Sequence, residues 1–204
     1  MKSLATVLSP LLFGFSVALL FSVGCANSSR TATPENVAPD FESQKAIEDD
    51  ESAVYATVLK RVAQSPSAIL SNTFPDRRAE EVLAENNGRF NDPEVLESLK
   101  RSNAQSKSLA PYFDRSSFVL VSEEEDKQLK GGEQIEKWNV FKTQKKVDKI
   151  IYFSAIGFDH NRTTAAVSVN TSCGWTCGTM DLYILKKSDA HTWSIDEDIS
   201  LGVV

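Results

Sequence analysis

The hydrophobic pattern of the chain first predicts a helix that begins near Ile47. Its apolar residues recur at helical spacing, and they are Ile47, Val54, Tyr55, Val58, Leu59 and Val62. Acidic residues stand at the start of this segment, and Lys60 and Arg61 at its end, which is the order that a helix dipole favours. Pro66 ends the segment.

Two shorter helices follow. One is predicted over Asp76–Asn86, with Gly88 beyond its end. The next begins with Asp92 as N-cap and Pro93 as its first helical residue. Its apolar face carries Val95, Leu96 and Leu99.

The second half of the chain has the two-residue period of strands. Phe118–Val121 is a short apolar run, and the charged stretch Glu123–Glu136 is expected to be a loop or a frayed helix. Longer strand-like runs are Ile150–Ile156, Thr164–Thr171, Thr179–Lys186 and Thr192–Leu201. Their short linkers predict successive hairpins.

Alternation in the last two runs predicts a sheet with one buried face. The buried residues on that face would be Met180, Leu182 and Ile184 in one run and Trp193, Ile195, Ile199 and Leu201 in the other. The fold class is therefore α+β, with N-terminal helices packed on one face of a C-terminal antiparallel β-meander. A cystatin-like or NTF2-like arrangement fits this order.

Residues 1–25 have the pattern of a secretory signal: Met1-Lys2, then an apolar stretch from Leu4 to Val23. An uncleaved membrane anchor is the alternative, since about 20 apolar residues can span a bilayer. Pro10 breaks the stretch early, and no charged stop-transfer cluster follows it, so cleavage is favoured.

The ending Gly24-Cys25 resembles the lipobox of bacterial lipoprotein signals. This resemblance implies that Cys25 is acylated, palmitate being among the expected acyl groups, and anchors the protein in a membrane of the cell envelope. In a Gram-negative cell the outer membrane is expected, because Ala26-Asn27 lacks the Asp that retains lipoproteins at the inner membrane. Ser22 stands where the lipobox usually has Leu, so cleavage after Ala26, giving a soluble periplasmic or secreted protein, stays open.

Composition divides the mature chain into a tether and a domain. Residues 26–44 are rich in Ser, Thr, Ala, Pro and Asn and are expected to form a flexible tether, while 45–204 form a single domain. The net charge of −6 and the pI near 5.1 argue against a nucleic-acid partner. No metal or other cofactor is expected, because three Cys and two His are few ligands.

The segment Cys173-Gly-Trp-Thr-Cys177 lies between two predicted strands. Pairing of these strands would bring Cys173 and Cys177 together as a disulfide, which an oxidising compartment preserves. Acylation of Cys25 removes the odd cysteine from the count. The bond would present Trp175 as a residue for interaction with a partner. A redox-active pair is less favoured, because the spacing is C-x₃-C and no helix begins there to lower a thiol pKa.

Residues 150–198 resemble a recurring group of uncharacterised bacterial exported proteins and lipoproteins. The matching residues are Ile156-Gly157-Phe158, Ala166–Val169, Cys173-Gly174, Cys177-Gly178, Tyr183–Lys186 and Trp193–Ile195. The chain departs from the group at Thr179-Met180-Asp181 and in having three residues between the cysteines. The resemblance implies an exported α+β domain with a C-terminal meander, and it implies no activity.

Candidate chemistry is sparse. Asp159-His160-Asn161-Arg162 has the residue types of acid–base catalysis, but its composition is also that of a turn, which we favour. Asp196–Asp198 is expected to be a solvated strand edge. The sequence therefore predicts a non-enzymatic module that binds an envelope protein or a small ligand. The alternative is a hydrolase whose site assembles only in three dimensions, in a pocket that gathers His160, His191 or several carboxylates.

Overall fold

The structure, a computed structural model, describes residues 41–85, 90, 92–130, 134–174 and 177–203. All of these residues belong to one compact unit. No helix within these ranges is both long enough and apolar enough to cross a bilayer.

The described residues form five helices and seven strands. The helices are α1 (Phe41–Val62), α2 (Arg77–Ala84), α3 (Pro93–Asn103), α4 (Glu123–Lys130) and α5 (Gln134–Lys145). The strands are β1 (Ser67–Leu70), β2 (Val119–Val121), β3 (Lys149–Phe153), β4 (Gly157–Phe158), β5 (Thr164–Ser172), β6 (Gly178–Lys187) and β7 (Trp193–Val203).

The first three helices lie where helices were predicted, but α1 begins at Phe41 and not near Ile47, so residues 41–44 of the expected flexible tether are helical. Asp76 is the N-cap of α2 and accepts a hydrogen bond from Ala79 N at 3.1 Å. Asp92 caps α3 and accepts from the backbone N atoms of Glu94 and Val95 at 3.0 and 3.2 Å. Both helices begin where predicted because a capping side chain satisfies backbone N–H groups only a few residues away.

The stretch expected to be a loop or a frayed helix instead contains α4 and the start of α5. Ser122 and Glu125 form a capping box at the start of α4. The backbone N of Glu125 donates to Ser122 Oγ at 3.2 Å, and the backbone N of Ser122 donates to Glu125 Oε2 at 2.9 Å. Two backbone donors at the start of α4 are thereby satisfied, and the acidic first turn complements the helix dipole.

The sheet is mixed, with the strand order β2-β1-β3-β5-β6-β7 and with β4 beside β5. From β3 to β7 the path is an antiparallel meander, which confirms the α+β class and the C-terminal meander. Strands β1 and β2 extend the sheet in parallel beyond β3. Strand β2 thus lies at one end of the sheet and β7 at the other.

The expectation of a single buried face is wrong. Tyr183 and Leu185 of β6 pack with α1, while Leu182 and Ile184 pack with α2 and α3. Successive residues of a strand point to opposite faces, so helices cover the sheet on both sides. On the second side, Phe141 of α5 packs with β1 and β3.

The predicted common face of β7 is also wrong, because a bulge interrupts the alternation. Leu185 of β6 faces Ile195, but its neighbour Ile184 faces Glu197, so the register shifts past Asp196. An extra residue in one strand reverses the orientation of every residue beyond it. Trp193 and Ile195 therefore join the α1 side, and Ile199 and Leu201 join the opposite side.

Candidate functional site

Two residues that the sequence singles out, Cys25 and Trp175, lie outside the described residues. Their roles in acylation and in partner contact stay predictions.

Cys173 and Cys177 face each other where β5 leads into β6. Their Cα atoms are 5.4 Å apart, within the range of disulfides, and their sulfur atoms lie at bonding distance. The backbone N of Cys173 also donates to Cys177 O at 3.0 Å. Strand pairing next to the cysteines, with Ser172 opposite Gly178, holds this geometry.

The cysteine hairpin rests on α5 through Gly174. Its backbone has φ +118°, and a Cβ atom at this position would lie 2.7 Å from Cδ1 of Trp138. Both the positive φ angle and the short distance to Trp138 require glycine at this position. Beside this contact, Asp126 accepts hydrogen bonds from Tyr152 Oη at 2.6 Å and from Lys130 Nζ at 2.7 Å. Burial and the Asp126 carboxylate raise the pKa of Tyr152.

A groove of about 570 Å³ runs between α3 and the β4–β5 turn, and we call it the α3 groove. It is lined by Pro93, Glu94, Glu97, Ser98, Arg101, Phe158, Asp159, His160 and Arg162. It thus gathers one histidine and three carboxylates. The second histidine, His191, lies with φ +58° in the turn between β6 and β7 and does not line this groove.

Structural contacts already occupy most polar groups of the α3 groove. Asp159 accepts from the backbone N atoms of Thr163 and Thr164 at 2.7 and 2.8 Å, as a turn residue does. Ser98 Oγ accepts from Phe158 N at 3.0 Å, and Glu94 Oε2 accepts from His160 N at 2.9 Å. The turn predicted for residues 159–162 is confirmed.

The acidic run Asp196–Asp198 also behaves as a solvated strand edge. Asp196 pairs with Lys186 at 3.0 Å, and Asp198 pairs with Arg61 at 3.5 Å. Across the described ranges, no group of three or more His, Cys, Asp or Glu side chains is placed to hold a metal ion.

Asp50 of α1 is the centre of a polar cluster that the sequence does not reveal. Its Oδ1 accepts from Lys187 Nζ at 2.7 Å and from Trp193 Nε1 at 3.1 Å, and its Oδ2 accepts from Arg162 Nε at 3.1 Å. Partial burial opposes ionisation, but the three hydrogen bonds outweigh it and hold the pKa of Asp50 below its ordinary value. The Arg162 guanidinium stacks 3.7 Å above the ring of Phe158.

A second groove, of about 640 Å³, follows the open edge of β2, and we call it the β2 groove. Its walls combine six serines with apolar and charged residues. The residues are Pro66, Ser67, Ser71, Asn72, Ser108, Ala110, Arg115, Ser116, Ser117, Phe118, Val119, Leu120, Ser122, Glu125, Lys145, Lys146 and Val147.

Strand β2 presents unpaired backbone to this groove. Within the described chain β2 pairs with β1 alone, and Val121 O accepts from Ser71 N on that side at 2.8 Å. Since successive residues of a strand direct their N–H and C=O groups to opposite sides, those of Leu120 point away from β1. The neighbouring Phe118 N–H is already used, because it donates to Asp114 O at 3.1 Å.

The β2 groove could not be recognised from the sequence, although Phe118–Val121 was predicted as a strand. The sequence does not predict strand β1, because Ser67–Leu70 is short and begins with Ser67-Ala68, whereas Phe118–Val121 consists of residues that strands favour. Without β1 there was no basis for placing β2 at an edge. The nearest sequence signal is the dense group of serines around β2, at Ser108, Ser116, Ser117 and Ser122.

Comparisons with protein-family models, curated proteins and solved structures found no match to this chain. The residues and contacts described above are therefore the basis for assigning a function.

Proposed function

We propose that this chain is a non-enzymatic interaction module, anchored in the cell envelope through Cys25, that binds another envelope protein. The observation that carries the proposal is the β2 groove. It combines about 640 Å³ of open volume with an unpaired strand edge, at Leu120, and with a lining that includes six serines. Such a surface suits recognition of a polypeptide, which offers backbone groups to pair with the edge.

The predicted lipid anchor and tether would place this surface close to the membrane. Acylation of Cys25 would hold the protein at the membrane, and the part of the 26–44 segment that precedes α1 would let the domain reach neighbouring proteins. Trp175, between the two cysteines, is proposed as a second contact residue.

Site-specific photo-crosslinking in living cells tests the proposal. A photoreactive amino acid replaces exposed Ser117 in the β2 groove, and a matched control carries it at exposed Asp189 in the β6–β7 turn. We expect a discrete adduct with an envelope protein from position 117 that position 189 does not form. No adduct, or the same adducts from both positions, would contradict the proposal. Trp175→Ala is expected to weaken recovery of the same partner.

The alternative is a hydrolase, and one observation favours it: Ser98, His160 and Glu94 line the same α3 groove. Their arrangement would serve acyl transfer if Ser98 Oγ turned from Phe158 N toward the imidazole. A fluorophosphonate probe would then label the protein, and Ser98→Ala would abolish labelling while Ser102→Ala would not. The interaction module predicts no labelling of any of these proteins.

A further inference from the structure

We infer that the β2 groove takes an extended, acidic segment of its partner, which adds to the sheet as a strand beside β2. This inference rests on the proposed function and specifies the chemistry of the ligand. Backbone pairing supplies the direction of the bound segment, and cations on the groove walls select its charge.

The edge of β2 offers one N–H group and one C=O group, both of Leu120, for backbone hydrogen bonds. Leu120 lines the groove and turns its N–H and C=O away from β1, and it is half-buried, so a pairing segment would complete its burial. The flanking N–H groups of Phe118 and Ser122 have internal acceptors, namely Asp114 O and Glu125 Oε2. Pairing is therefore restricted to the centre of the strand, and the side chains of the segment must supply the remaining affinity.

The cations of the groove supply that affinity for an acidic segment. Three cations, Arg115, Lys145 and Lys146, and one anion, Glu125, line the walls. Lys145 is neutralised by Glu125 at 3.1 Å. The exposed Arg115 and Lys146 have no carboxylate partner in the described part of the chain. Two further carboxylates lie beside the groove and are held by its lining, Asp114 by Ser116 and Ser117 and Glu123 by Asn72. Arg115 and Lys146 are therefore the cations of the lining that are left to pair with carboxylates of a bound segment.

Lys146 occupies a backbone position that favours glycine. Val147 N donates to Lys142 O at 3.3 Å, which closes a Schellman motif at the end of α5, and Lys146 is its left-handed residue with φ +56°. A side chain there costs about 1 kcal/mol relative to glycine. The dipole of α5 favours a cation at its C-terminal end and offsets part of this cost. Lys146 also lines the groove, where its charge is available to a bound segment.

The test uses two short synthetic peptides that alternate Val with Glu or Val with Lys, with binding to the purified full-length mature protein followed by fluorescence polarisation. We expect the Glu peptide to bind at least about tenfold more tightly, which is about 1.4 kcal/mol. Raising the salt from about 0.1 M to about 1 M should remove most of this preference, because the screening length falls from about 10 Å to about 3 Å. Equal binding of the two peptides overturns the inference.

Variants separate binding from folding. Arg115→Gln and Lys146→Gly are each expected to weaken the Glu peptide several-fold, and Lys146→Gly should at the same time raise the melting temperature. Gln144→Gly, in the last turn of α5, is the matched control, and it should lower the melting temperature and leave the affinity unchanged. Unchanged affinity in both cation variants overturns the inference.

Backbone methylation of the peptide tests strand addition itself. Two peptides are compared, one methylated on the backbone nitrogens of its odd residues and one on those of its even residues. One pattern should abolish binding and the other should spare it, because only alternate N–H groups face β2. Equal effects of the two methylation patterns overturn strand pairing by the peptide. A protein dimer in which each copy occupies the groove of the other also overturns the inference. If the crosslink from position 117 forms in cells with the same yield in the Arg115→Gln variant, the proposed interaction module is supported and the acidic character of its ligand is contradicted.

Discussion

At the scale of single residues, the carboxylate of Asp50 joins three separate parts of the fold. It joins α1 to the β4–β5 turn through Arg162 and to the β6–β7 hairpin through Lys187 and Trp193. The side chain is only 14% exposed, so water does not replace these bonds. Its partners lie 112 to 143 residues away in the chain, and for this reason no local pattern identifies it.

Asp50→Asn tests this role. Asparagine keeps the shape but loses the charge and leaves two cations without their carboxylate, so we expect the free energy of unfolding to fall by about 2–3 kcal/mol. Chemical denaturation of the purified protein measures the change. Asp49→Asn is the matched control, since Asp49 is exposed, and it should change stability by less than about 0.5 kcal/mol. Equal effects of the two substitutions would contradict the role of Asp50.

The pKa of Asp50 also predicts a pH dependence. Because this pKa is lower in the folded protein than its ordinary value of 3.8, ionised Asp50 stabilises the fold above about pH 4. That contribution is lost as the pH falls below about 4 and the carboxylate is protonated. Denaturation curves at a series of pH values should show the difference between the parent protein and Asp50→Asn shrinking on acidification. A difference independent of pH would show that the charge is not responsible.

At the scale of elements, the contact between α3 and β4 depends on Gly157. A Cβ atom there would lie 2.5 Å from Val95 O and 2.7 Å from Leu99 Cβ, and backbone atoms cannot move aside independently. We expect Gly157→Ala to lower the free energy of unfolding by about 1–3 kcal/mol. Denaturation measures the loss, and a change below about 0.5 kcal/mol would mean that α3 moves away without cost. The shape of the α3 groove would change as well, because Phe158 lies next in the chain.

Helices and strands differed in how well the sequence predicted them. Asp76 and Asp92 mark helix starts through bonds to N–H groups that are two or three residues away, so their effect is visible locally. The capping box of Ser122 and Glu125 is equally local, and its S-x-x-E pattern could have identified α4. The bulge at Asp196 has no such signal, because it exists only in the pairing of β7 with β6.

The candidate site was predicted less completely than the fold. The sequence identified the turn at Asp159 and the cysteine pair, whose members are four residues apart. It did not identify the β2 groove, which requires Ser71, Leu120 and Lys146 from separate parts of the chain to meet. Such convergence depends on the position of β2 at the end of the sheet.

At the scale of the whole molecule, the location predicted by residues 1–25 is directly testable. We expect the intact mass of protein extracted from membranes to show an acylated N-terminus at Cys25, and Cys25→Ser to release the protein from the membrane fraction. Alkylation before reduction should leave Cys173 and Cys177 unmodified. An unmodified N-terminus at Asn27 would contradict the lipoprotein assignment, and alkylated cysteines would contradict the disulfide.

The sequence by itself determined the α+β class, the caps of α2 and α3 and the meander, because each depends on periodicity or on residues close together in the chain. Only the tertiary structure decided that helices cover both faces of the sheet, that β7 changes face at Asp196 and that β2 forms an open edge. These features depend on which strands become neighbours. Neighbours are chosen by burial over the whole sheet, and a linear pattern reports only how each segment alternates.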